Sequence, residues 1–368
     1  MNSLPESEGI DVASLAGTLR NTTNSYKFYW LLAILDQIRK HHEPRLSIDS
    51  LLAEMVASVW YPVNYFRLSL GTQDKLAEVV TTLMAESGLS SDAAGEEIVG
   101  AFEECGPNSV ARKAMRGRGR YVPFRFLSPF FEHETRGIPD AKVNQTIRRG
   151  AAERFTSHSP AVYRFDAGSI ELADPWFRYF LQHQEILRGF CLWHLIRFLQ
   201  KRNPNVSGLS SKVFRPKLRD LSNAKRFWET AIQQIGSLEC IYTQSSIDPN
   251  SMSLDHFVPW SFCVHDELWN ICPTTVAANS SKGDRLPNLE QYWGHFVELQ
   301  FRAMRAVLGK TPKQLESYAV LLGTSSNAAL AGVAKEEFAT KLEDTIHPQI
   351  QIARNSGFPA NWSYPGAQ

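Results

Sequence analysis

The chain lacks any Cys-x-x-Cys pair. Its five cysteines, Cys105, Cys191, Cys240, Cys263 and Cys272, are odd in number and scattered. That spacing argues against a disulfide framework and fits a reducing compartment. An excess of one charge is also missing. The 39 basic and 38 acidic residues leave a net charge of +1, so a globally basic nucleic-acid binder is not indicated, although a local patch remains open. Long apolar runs are absent too. "WLLAIL" is far shorter than the ~18 residues that a membrane span needs. The start, "MNSLPESEGIDVASLAG", has neither a basic opening nor an apolar run, and reads as no signal peptide. The expectation is a soluble, cytoplasmic protein with no membrane partner.

What is present is a chain of 368 residues, 43% hydrophobic and 11% aromatic, enough for a substantial core and for more than one domain. Helical patterns dominate, so the expected fold class is mostly α. The scaffold is helical, with one short β-hairpin and a small embedded ββα finger. Four sections follow along the chain: an N-terminal helical domain at 1–110; a basic loop, hairpin and long-helix region at 111–235; the finger at 236–290; and a C-terminal helical region at 291–368.

Several elements are specific expectations. Asn24 or Ser25 caps a helix through "YKFYWLLAILDQIRK", and Ser47 opens a second that Pro62 stops. The glycines and proline of "RKAMRGRGRYVPFR" (112–125) read as a loop. "AVYRFDAGSIEL" reads as a hairpin. One long helix spans about 174–200, its core stripe formed by Phe177, Phe180, Leu187, Cys191 and Phe198 and widened by Ile186, Phe190 and Trp193. Trp30, Trp60, Trp176, Trp193 and Trp228 are most simply core residues. Residues 197–226 hold nine basic side chains against Asp220 alone. Lys212, Arg215, Lys217, Arg219, Lys225 and Arg226 are candidates for a phosphate-binding surface, weighed against an ordinary solvated face.

The chemistry concentrates at 239–287. "LDHFVPWSF" places Asp255 and His256 side by side within an apolar run, which is costly unless both side chains find partners. Cys240 to Thr243 reads as a first short strand and Leu254 to Val258 as a second. "TTVAANSSKGD" reads as a helix ended by Gly283, with Asn279 and Lys282 one turn apart. Asp255 is a hard oxygen ligand, and the Asn279 amide offers a second oxygen. Two protein oxygens plus waters and phosphate suit Mg²⁺. Successive strand residues face opposite ways, so His256 is free to take a proton from water. Lys282 can neutralise phosphate charge. The set matches metal-assisted phosphodiester hydrolysis.

This pattern resembles the HNH nuclease domain, the ββα-metal or His-Me finger, over about 50 residues: Asp255-His256, Asn270, Asn279, Lys282. It is similar in spacing to the HNH domain of RNA-guided CRISPR nucleases. The resemblance implies that His256 is the general base and that Asp255 and Asn279 hold one Mg²⁺ (or Mn²⁺). It also implies that Asn270 braces the loop bearing the histidine, and that the substrate is DNA. Many such domains carry two Cys-x-x-Cys pairs for structural zinc. The corresponding positions here are Cys240, Thr243, Thr275 and Ala278, so no structural zinc is expected. Packing by Trp260, Phe262, Leu268 and Trp269 would replace it. Asp266 reads as a turn cap in preference to a third ligand. The implied role is a bacterial defence or restriction effector, acting as a homodimer or with a partner protein. The competing reading is a non-catalytic or regulatory module, binding nucleic acid or protein through a vestigial finger.

Overall fold

In a computed structural model the described residues are 4–20, 22–106, 108–215, 219–310, 312–324 and 326–366. Lys217 lies outside them. Contacts divide the chain into two units: Met1–Pro204 with Leu209–Pro216, and Asn205–Gly208 with Lys217–Gln368. Both are mainly helical with a few short antiparallel strands. No described helix is long and apolar enough to cross a membrane.

The first unit is organised around the helices Tyr26–His41 and Ile48–Trp60, which bury apolar residues on most of their faces. Ser47 caps the second, accepting from the Ser50 amide. Ser25 stands at the N-cap of the first without capping it. Its hydroxyl and amide both donate to the buried Asp74 carboxylate. Pro62 does not end the second helix at once. One wider turn, Tyr61–Tyr65, continues from it, with Phe66 N donating to Tyr61 O at 2.9 Å. The hairpin Tyr163–Asp166 and Ser169–Leu172 forms as the pattern predicts, and Arg45–Ser47 adds a third strand beside Ser169–Leu172. Trp30 Nε1 donates to Tyr163 Oη at 3.0 Å, and that hydroxyl donates to Pro123 O at 2.5 Å. The polar tips of these two buried aromatics are thereby satisfied.

Three expectations in this unit are corrected. The stretch 112–125 is not a loop but the helices Val110–Gly119 and Val122–Phe126. A Cβ on Gly119 would sit 2.7 Å from Leu52 Cδ1, so glycine there permits close packing. Pro123 occupies the first turn of its helix, a tolerated place. Residues 174–200 form two helices, Asp174–Gln182 and Gln184–Gln200, separated at His183, whose ψ of 22° is not helical. The break rotates the stripe. Phe180, Leu187, Phe190, Cys191 and Phe198 are buried, but Ile186 and Trp193 are 45% and 47% exposed. Trp193 is therefore not a core residue, whereas Trp30, Trp60, Trp176 and Trp228 are.

The second unit packs the finger against the helices Ser222–Ile235 and Leu289–Leu308 and, further out, Lys335–Asn355. Its strands are Ser253–His256 and Ile271–Thr274, antiparallel, with Asp255 opposite Cys272 and His256 opposite Ile271. The expected first strand at 240–243 is not one. The chain turns back there: Cys240 N donates to Ser245 O, Gln244 N donates to Cys240 O, and Gln244 takes a left-handed φ of 57°. The following helix is Val276–Lys282, capped by Thr275 and left through Gly283 at φ +49°. Two devices seat the sheet. Phe257 stacks on Phe296 with ring centroids 4.0 Å apart. Gln300 on the Leu289–Leu308 helix donates to Ile271 O at 2.8 Å and accepts from Tyr318 Oη. Phe262, Leu268 and Trp269 are buried in the same core, while Trp260 is only partly covered.

Candidate active site

Alternation along Ser253–His256 sends neighbouring side chains into different surroundings. Asp255 is buried, 3% exposed. Its Oδ2 accepts from Tyr242 Oη at 2.6 Å, and its Oδ1 accepts from Lys282 Nζ at 3.0 Å. Burial, and then the Asp255 charge, push the Tyr242 hydroxyl well above its usual range, so it remains a donor. Lys282 is fully buried and also donates to His256 O at 2.7 Å. The ammonium thus closes the helix onto the strand. Buried Lys282 gives two of its three donors to the finger itself, so it does not face solvent as the expected phosphate-neutralising role requires.

One turn earlier, Asn279 Nδ2 donates to Ser253 Oγ at 2.6 Å and to Leu254 O at 3.2 Å. A carbonyl must receive an N–H, so the amide orientation follows from its partners, and Oδ1 is the opposite end.

The His256 ring is 3% exposed. Its Nε2 lies 2.8 Å from Asp266 Oδ1, and its Nδ1 is 3.5 Å from an Arg219 guanidinium nitrogen. A carboxylate only accepts and a guanidinium only donates. In the neutral ring these partners select the tautomer with hydrogen on Nε2 and the lone pair on Nδ1. Arg219 also lies over the Trp260 ring at 5.4 Å. Asp266, expected as a turn cap, is therefore the partner of the histidine, with its side chain 37% exposed.

Asn270 ends the connector between the strands. Its backbone O accepts from Phe257 N at 2.8 Å. Its side chain accepts from Val258 N at 2.8 Å and donates to Val258 O at 3.0 Å. One buried amide thus satisfies both backbone groups of Val258, two residues past His256.

The remaining sequence candidates separate. Lys212 is fully buried and is not part of a phosphate-binding surface. Arg215 belongs to the first unit and donates to Asp92 O. Lys225 and Arg226 are exposed on the Ser222–Ile235 helix, with Lys225 3.9 Å from Glu229. Of the five that are described, Arg219 alone reaches the histidine; Lys217 lies outside the described residues. Sequence reasoning missed Tyr242, which no motif position marks, and assigned Asp266 another role. Its signal was an acid within the connector between the Asp-His pair and Asn270.

These features, an Asp-His strand, a bracing asparagine and a helical asparagine and lysine facing the strand, point to one family. Residues 240–288 match the family model described as HNH endonuclease. No curated protein and no solved structure matches the chain. The HNH segment thus coincides with the finger, and it supports nuclease chemistry on a nucleic acid.

HNH nucleases generally use a divalent metal. Among the described residues no group of three or more His, Cys, Asp or Glu side chains converges. The donors at the HNH site are oxygens. Each Asp255 oxygen accepts one hydrogen bond, and a carboxylate offers about four lone-pair sites. Asn279 Oδ1 is the uncommitted end of its amide. These are the oxygens that this site offers to a hard cation. Asp255 is buried and already bonded to Tyr242 and Lys282, so a cation would share it with them. At the positions where other HNH fingers carry zinc ligands, Cys240 Sγ lies 3.0 Å from Thr274 Oγ1, Thr275 caps the helix and Ala278 is buried.

Proposed function

We propose that the finger is a metal-dependent endonuclease that hydrolyses DNA phosphodiester bonds with His256 as general base. One observation carries the reading. His256, in the segment that matches the HNH family, is anchored through Nε2 by Asp266, so Nδ1 points at Arg219, which lies before that segment. A base and a cation side by side suit a water attacking a phosphate.

Asp255 and Asn279 would hold a single Mg²⁺ or Mn²⁺, which when bound supplies Lewis acidity at the phosphate. His256 Nδ1 takes the proton of the attacking water. Asp266 fixes the ring and stabilises the imidazolium that forms. Arg219 offers its guanidinium fork to phosphate oxygens. Lys282 acts from within, holding the Asp255 carboxylate and the His256 carbonyl. The product would carry a 5′ phosphate. One such site cuts one strand, so duplex cleavage needs a second copy, a partner nuclease or rebinding. A role as a bacterial defence or restriction effector rests on analogy with other helical proteins bearing one HNH finger.

The buried Asp255–Lys282 pair gives a second reading some support, a vestigial finger that binds nucleic acid or protein without cutting. A panel of supercoiled plasmid, linear duplex, single-stranded DNA and RNA, each with Mg²⁺ or Mn²⁺, separates the two. Cleavage of DNA supports the nuclease. Retention without cleavage of every substrate favours the binding module.

A further inference from the structure

The first unit contains a cavity that the finger does not explain. Its volume is about 280 Å³, and its walls include Arg20, His194, Arg197, Lys201 and Arg202, with no carboxylate among the lining residues. His194, Arg197, Phe198 and Lys201 follow at three- and four-residue steps along and just past the Gln184–Gln200 helix, so they share one face. Arg20 arrives from a separate element, after the Val12–Thr18 helix. Phe28 and Phe198, 5.4 Å apart between ring centroids, supply an apolar floor with Leu19.

The wall is built rather than loose. Arg202 lies on the Phe198 ring and donates to Phe198 O and to Thr23 O, each at 3.0 Å. Its Nε approaches Gly71 so closely that a Cβ there would be 2.7 Å away. Arg197 and Lys201 are exposed and make no ion pair among the described residues. The field in the cavity has one sign. Burial, and then Arg197 and Arg20, hold the His194 imidazole below its usual range. Cations near a helix C-terminus offset the helix dipole, but that does not account for a concave wall to which a second element adds another arginine. Like charges gathered around a hollow repel each other, and an anion in the hollow relieves the repulsion. Guanidinium groups match the oxygens of phosphate in particular. The volume is near the lower end of small-ligand cavities, about 300–1,000 Å³, which suits a small molecule better than a polymer.

We propose that this cavity binds a small phosphate-bearing ligand, with Arg197 and Lys201 engaging the phosphate and the wall fixed by Arg202. The phosphate group is the recognised chemistry, and its source is either free phosphate or a nucleotide. Calorimetric titration of the full chain at low salt tests this with adenosine 5′-monophosphate, inorganic phosphate and adenosine as probes. The same titrations are run on the Arg197→Ala/Lys201→Ala variant, whose fold is checked by its melting temperature. The expected result is one site per chain for a phosphate-bearing probe, no binding of adenosine, and an affinity reduced about tenfold or more in the variant. Tighter binding of the nucleotide than of phosphate assigns a nucleotide. Equal affinity assigns the phosphate group alone. No binding of either phosphate probe, or unchanged binding in the folded variant, overturns the proposal.

Discussion

Asp255 and His256 are neighbours in the chain and opposites in surroundings. The Asp255 carboxylate is enclosed, with one oxygen on Tyr242 and the other on a lysine that no solvent reaches. The His256 ring is just as buried, but it is bonded to an acid that is 37% exposed and faces a surface arginine. The pair shows how a small finger without cysteine clusters divides its work. A closed electrostatic lock on one side of the strand holds the helix. An open-ended polar chain on the other leads from the ring outward.

The lock is the first place to break this comparison. Lys282→Met leaves the Asp255 carboxylate buried without its partner and should destabilise the second unit by about 3–5 kcal/mol, read by denaturant unfolding. The Asp255→Leu/Lys282→Met double variant should cost less than the sum of the singles. A loss under about 1 kcal/mol for Lys282→Met would mean that the lock is not closed.

Next is the brace. Asn270→Ala strands the amide of Val258 and leaves its carbonyl only the weak Cys263 Sγ contact at 3.7 Å, at about 1–3 kcal/mol for a fully unpaired buried group. The expected total is about 2–4 kcal/mol in the same unfolding measurement. Asp266→Ala sharpens the contrast, because its carboxylate belongs to the open side. Stability should fall by about 1 kcal/mol, because the Nε2–H of the buried ring loses its acceptor, while the rate of DNA nicking falls about tenfold as the ring loses its anchor. Equal activity with unchanged stability would make Asp266 a bystander. The smallest effect is expected at Lys225→Ala, which removes only an exposed ion pair with Glu229 and should shift stability by about 0.5 kcal/mol or less.

Much of this was legible in the sequence. The Asp-His pair, the spacing to Asn270, Asn279 and Lys282, and the end of the helix at Gly283 all depend on local pattern. The hairpin at 163–172 followed from alternation around Asp166-Ala167-Gly168. What failed was set by contacts distant in sequence. Residues 240–243 have the β-branched and aromatic content of a strand, but Gln244 turns them back. The glycines of 112–125 signalled a loop because the sequence does not show that Gly119 meets Leu52. Lys212 and Lys282 looked like surface lysines, and burial alone decided otherwise. Tyr242 could not be assigned to Asp255 without the fold.

The central claim is that His256 takes a proton from water during phosphodiester hydrolysis. Nicking of supercoiled plasmid in Mg²⁺ or Mn²⁺ by the wild-type chain and by His256→Ala, with both proteins shown to be folded, tests it most directly. The account predicts nicking by the wild type and a rate about 10²–10⁴-fold lower in the variant. Equal rates for the two proteins would contradict it.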